Sequence, residues 1–98
     1  MIRNVQTLID KLRMVAGEVQ GRYRAEILGI FGSYVRGEQR ETSDLDVLVR
    51  FAKGATLFDF VGLADFLEEI LGIRVDVVPV DGVREEIRDR ILREAVYL

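Results

Sequence analysis

Asp44 and Asp46 flank Leu45 at the start of a run, Leu45 to Phe51, that has an apolar residue at every second position. A strand turns successive side chains to opposite faces, so the two carboxylates share one surface, opposite Leu45, Val47, Val49 and Phe51. Asp76 interrupts a second β-branched run, between Val75 and Val77-Val78. If the two runs are parallel neighbours, all three acids gather at one sheet end, because same-face positions are about 7 Å apart and adjacent strands about 4.8 Å. Three anions that close repel one another unless a cation lies between them, and hard, oxygen-seeking Mg²⁺ is the natural occupant. Two such ions about 4 Å apart would clamp an in-line phosphoryl or nucleotidyl transfer. Other readings stay open: Ser43-Asp44 can simply end a loop as turn or cap residues, and Asp76 can be the ion-pair partner of Arg74 or another Arg.

Gly32-Ser33 is the second constellation. Glycine at a strand end lets backbone approach a ligand closely, and the residues after it can open a helical turn whose amides favour phosphate. Ser33 adds a hydroxyl, or serves as the N-cap of that turn. Arg36 and Arg40 bring positive charge nearby, and each is equally readable as a surface Arg paired with a carboxylate. Neither a Walker loop nor a dinucleotide-type glycine triplet occurs. With no His, and only Lys11 and Lys53 far away in sequence, Ser33 is a poor nucleophile.

Composition narrows the chemistry further. The 98 residues contain no Cys and no His, which excludes disulfide scaffolds, thiolate zinc sites and histidine-based triads. An enzyme built from this chain must rely on carboxylates, hydroxyls, Arg and hard metal ions. A net charge of −3 disfavours direct nucleic-acid binding, as no overall positive field would draw the protein to it. The longest nearly apolar stretch, Ile27 to Phe31, is far short of the roughly 18 residues of a membrane span, and Met1-Ile2-Arg3-Asn4 lacks a signal-peptide core. A cytoplasmic, membrane-free protein is expected. With 49% hydrophobic and 32% charged residues, residues 1–98 are expected to fold as a single domain.

The elements that must position these groups follow from periodicity. Asn4 can cap a helix carrying Val5, Leu8, Ile9, Leu12, Val15, Ala16 and Val19, ending near Gly21. Glu26 to Phe31 and Leu45 to Phe51 read as strands, with one helical turn after Ser33 and a polar loop between them. Thr56 and Asp59 resemble a capping box ahead of a helix with Leu57, Phe60, Val61, Ala64, Leu67, Ile70 and Leu71, stopped by Gly72. Ile73 to Val80 reads as the third strand, and Val83, Ile87, Ile91 and Ala95 as the stripe of a final helix. The expected fold is α/β (α+β): a three-stranded mixed sheet with packed helices, in the order αβ(α)βαβα. The helix between the second and third strands implies that those two run parallel.

The segment FGSYVRGEQRETSDLDVLVRF, Phe31 to Phe51, resembles the signature of the minimal nucleotidyltransferases of the polymerase-β superfamily. That signature is Gly-Ser, ten residues, then Asp-x-Asp, met here by Gly32-Ser33, Tyr34 to Ser43 and Asp44-Leu45-Asp46. Arg36-Gly37 and Ser43 also fit, and Asp76 in RVDVVPV resembles the third acidic position. The resemblance covers essentially the whole chain. It implies a nucleoside triphosphate, ATP or another, bound with Mg²⁺, and transfer of the nucleoside monophosphate to a hydroxyl. Asp44, Asp46 and Asp76 would be metal ligands and catalytic residues, Asp76 also a candidate for taking the acceptor proton. Gly32 and Ser33 would hold the triphosphate tail, with Arg36 either beside them or structural. The family further implies a helical HEPN-domain toxin as partner, silenced in some cases by adenylylation of a tyrosine. Two rivals remain: a non-catalytic nucleotide-binding module that neutralises its partner by complex formation, and a small-molecule nucleotidyltransferase.

Overall fold

The computed structural model describes residues 4–98, so the Met1-Ile2-Arg3 opening considered above lies outside the described residues. Helix α1 spans Val5–Tyr23, strand β1 Ala25–Phe31, the single turn α2 Ser33–Arg36, strand β2 Leu45–Phe51 and helix α3 Leu57–Leu71. Strand β3 (Val75–Pro79), a 3-10 turn (Val80–Gly82), helix α4 (Glu85–Glu94) and a short strand β4 (Val96–Tyr97) complete the chain.

The expected caps form. The Asn4 side chain accepts from the backbone N–H of Gln6 and Thr7, satisfying donors that an α-helix leaves free at its start. Thr56 and Asp59 make the reciprocal capping box of α3, and Gly72 closes that helix in the left-handed region. Helix α1 runs past Gly21 to Tyr23 and is closed by Arg24, a non-glycine residue at φ 54°. Tyr23 is kept helical by packing: its ring lies 5.6 Å from that of Phe66, over the space left by the missing side chain of Gly62.

Among the described residues the sheet has four strands in the order β3-β2-β1-β4, one more than expected. Strand β4 is only two residues long and pairs antiparallel with Gly29 and Ile30, too short for any periodic signal. The β1–β2 pair is antiparallel and the β2–β3 pair parallel, as the crossover helix requires. Both ends of two expected elements also shift: β3 spans Val75–Pro79, with Val80 passing into the 3-10 turn, and α4 spans Glu85–Glu94, leaving Val83 ahead of it, Ala95 as its cap and Ile87 exposed.

Helices α1 and α3 cover one face of the sheet, burying Leu8, Leu12, Val19, Leu63 and Leu67 against Ile27, Ile30, Val47, Val49 and Val77. Truncating a fully buried leucine here costs about 2–5 kcal/mol. The other face, expected to be the polar one, carries a second, smaller core in which Ile91 of α4 meets Phe31, Leu48 and Val80. A bulge between Ile27 and Gly29 makes this possible. The extra residue resets the alternation, so Ile30 faces α1 and α3 while Phe31 turns to the side of Asp46 and Leu48. Among the described residues no helix is long and apolar enough to cross a membrane.

Candidate active site

The register puts three site elements in one row: Phe31 pairs with Asp46 across β1–β2, and Asp46 pairs with Asp76 across β2–β3. Register partners present side chains to the same face, so Asp46 and Asp76 stand side by side at about one strand spacing. Asp76 is exposed, whereas Asp46 is partly buried. Burial, reinforced by the charges of Asp76 and Asp44, pushes the Asp46 carboxyl up to about 6, and Arg36 acts in the opposite direction.

Asp44 lies just before β2 and pairs with Arg74, Nε to Oδ1, at 3.0 Å. Arg74 thus serves Asp44 and not Asp76, the partner considered from sequence. Its guanidinium also donates to the Thr42 carbonyl, and its own carbonyl accepts from the Leu45 N–H at 2.8 Å. These contacts tie the first residues of β2 to those of β3 and fix the register that aligns Asp46 with Asp76.

Gly32 follows β1 with φ 84° and ψ −153°, a conformation open to glycine. A Cβ there would sit 2.1 Å from Oδ2 of Asp46, so the carboxylate rests directly on the glycine backbone. The expected single turn α2 forms, with Gly32 and not Ser33 as its N-cap and with no side-chain cap bond. Ser33 is half-buried beside it. The Arg36 guanidinium leaves this turn to meet Glu38 at 2.8 Å and Glu94 at 2.7 Å. Arg40 takes no part in the row: its backbone N–H donates to Ser43 Oγ at 2.9 Å and its side chain is exposed.

Glu94 escapes the sequence reading, although it belongs to this cluster. The Gly32 N–H donates to Glu94 Oε2 at 3.1 Å, while Oε1 accepts from Arg36. Those contacts hold the Glu94 carboxyl below the usual carboxylate range. One signal was available: a carboxylate at a helix C-terminus faces the negative end of the helix dipole, so it needs a partner outside the helix.

The model for the nucleotidyltransferase domain matches residues 12–98. The chain belongs to this nucleotidyltransferase family. Among curated relatives, the protein adenylyltransferase MntA of Thermococcus cleftensis is 43% identical over 81 residues, 83% of this chain and 82% of that protein. A solved minimal nucleotidyltransferase is 43% identical and superposes with a TM-score of 0.74, covering 92% of this chain and 95% of that one. A toxin-antitoxin structure with AMP-PNP, 23% identical, shares the fold at a TM-score of 0.68 over 96% of this chain and 71% of that one. As a nucleotidyltransferase the protein is an enzyme of group transfer, built on the mixed sheet with packed helices described above.

The fold implies a divalent cation, and the donor chemistry of the nucleotidyltransferase suits one. Asp44, Asp46 and Asp76 offer oxygen ligands only, the set that Mg²⁺ prefers. Burial raises the Asp46 carboxyl most, and the repulsion from Asp76 and Asp44 that adds to it is the kind a cation relieves. Among the described residues no group of three acids stands as a ready-made cage, consistent with Asp44 being engaged by Arg74.

Proposed function

We propose that the protein is a Mg²⁺-dependent adenylyltransferase that moves AMP from ATP to a tyrosine hydroxyl on a helical HEPN-type toxin, breaking the bond between the α- and β-phosphates and releasing pyrophosphate, and so acts as its antitoxin. Residues 1–98 work as a single catalytic domain in the cytoplasm, with the partner's surface presenting the acceptor. The observation that carries this reading is the alignment of Asp46 with Asp76, with the Asp46 carboxylate resting on Gly32. It brings an acidic pair and a backbone donor within one small volume, as transfer from a triphosphate needs. The Thermococcus relative, named a protein adenylyltransferase, supports AMP as the group moved and a protein as the acceptor.

In this reading Asp44, Asp46 and Asp76 hold the metal, which when bound neutralises the triphosphate and acidifies an oxygen acid beside it. Gly32 and Ser33 hold the phosphate tail, and Arg36 balances its charge. Asp76, the exposed member of the pair, is open to the acceptor side and takes the acceptor proton. A phenol, with an ordinary pKa near 10, gives up that proton more readily than an alcohol, which favours tyrosine.

Incubation with the cognate toxin, Mg²⁺ and ATP should add adenylyl mass to the toxin, and Asp76→Ala should prevent it. Toxin neutralised equally well by the wild type and by an Asp44→Ala, Asp46→Ala double variant, with no mass added, would establish a binding module instead. Mass added to a small hydroxyl compound and never to protein would establish the small-molecule enzyme.

A further inference from the structure

We propose that Glu94 is a built-in competitor for the triphosphate tail, seated between the Gly32 N–H and the Arg36 guanidinium and displaced when the nucleotide binds. The proposal rests on the reading of Gly32 and Arg36 as phosphate-binding groups. The two oxygens of Glu94 take one donor each: Oε2 the Gly32 N–H at 3.1 Å, Oε1 the Arg36 Nη1 at 2.7 Å. A phosphate would use the same donors in the same bridging way. Gly32 has a single hydrogen to give, so Glu94 and a phosphate oxygen cannot hold it together. Arg36 is engaged only in part, with Nε on Glu38 and Nη1 on Glu94, so the exclusive competition is for the Gly32 N–H while Glu94 offsets the charge of Arg36.

Position supports displacement. Glu94 is the last residue of α4, where the helix dipole disfavours a carboxylate, so its seat depends on these two contacts and not on its own helix. Its side chain is 23% exposed, leaving a path outward to solvent. Glu94 therefore sets the affinity for the tail, and a ligand must carry enough negative charge to outcompete a resident carboxylate. Triphosphates meet that demand better than a monophosphate.

Calorimetry with inorganic tripolyphosphate and with ATP, each with Mg²⁺ present, tests this on the full chain. Glu94→Gln should bind tripolyphosphate about tenfold more tightly than the wild type. Glu38→Gln, which removes one charge from the other side of Arg36 but leaves Gly32 to Glu94, should gain several-fold less. Equal gains in the two variants would reduce Glu94 to bulk charge, and weaker binding by Glu94→Gln would make it a brace for the Gly32 turn; either overturns the proposal. A measurement on the wild type does not depend on variant folding: the Gly32 amide and Glu94 carboxyl resonances should move with one midpoint as tripolyphosphate is added. A Gly32 shift without a Glu94 shift overturns the proposal while the phosphate site stands. If neither tripolyphosphate nor ATP with Mg²⁺ binds any form, the phosphate-site reading fails along with it.

Discussion

Asp46 and Asp76 stand side by side as register partners across the β2–β3 ladder, yet only Asp46 is partly buried, against Gly32. The pair is thus asymmetric: one carboxylate strained by burial and repulsion, one in solvent. The asymmetry separates the consequences of mutating otherwise similar acids.

Asp46→Asn and Asp44→Asn should both abolish transfer, and they should differ in stability. Removing the charge of partly buried Asp46 relieves its burial cost and its repulsion by Asp76 and Asp44, so metal-free melting should rise by the equivalent of about 1 kcal/mol, roughly 4–8 °C for a domain of this size. Asp44→Asn loses an exposed pair with Arg74, worth about 0–1 kcal/mol, and should leave the melting point level or slightly lower. Marked destabilisation in both would mean that these acids are structural.

Stability should depend on pH through Asp46 in metal-free buffer. Its folded pKa of about 6 lies above the unfolded value near 3.9, so the folded state holds the proton more tightly. The stabilising contribution is full below about pH 4 and is lost as pH rises through about 6. Melting curves of the wild type and Asp46→Asn should diverge between pH 4 and 7 and run parallel above. Added Mg²⁺ should narrow the gap near neutrality. Glu94 acts oppositely: with its folded pKa lowered, its contribution is present above the unfolded value and lost as pH falls.

Gly32→Ala should cost about 1–3 kcal/mol from left-handed backbone strain alone. Its Cβ would also push Asp46 off the backbone, because it meets Oδ2 at 2.1 Å. Thermal melts should show the first effect and loss of nucleotide binding the second. An unchanged Asp46 resonance in a folded Gly32→Ala protein would contradict the close approach.

Tyr34→Phe should stabilise the protein by about 1 kcal/mol, since the buried Tyr34 hydroxyl meets no hydrogen-bond partner among the described residues. Denaturant unfolding is the measurement. A loss of similar size would show that the hydroxyl is satisfied in solution.

Much of the site was legible because it follows local rules. The alternation from Leu45 to Phe51 assigns a face to Asp46, and the length of α3 enforces the parallel β2–β3 pair that brings Asp76 beside it. The Asn4 cap and the Thr56–Asp59 box are likewise written in neighbouring residues. Features made by distant contacts were not. Glu94 meets Gly32 from 62 positions away, and β4 exists only because Gly29 lets the Val96 backbone come close, where a Cβ would lie 2.3 Å from its carbonyl oxygen. Arg74 could have served Asp44 or Asp76, and the register of β2 on β3 decides between them.

Among the described residues the second core is small, four buried side chains where the first has sixteen. Cooperative units with less buried apolar area open at lower free energy, so the C-terminal segment from Glu85 to Tyr97 should exchange its amide hydrogens well before β1 and β2 do. The protein then has two unfolding thresholds, and the residues that carry Glu94 belong to the lower one. Thermal fluctuation of α4 can uncover the Gly32 turn while the carboxylate row on the central strands stays formed.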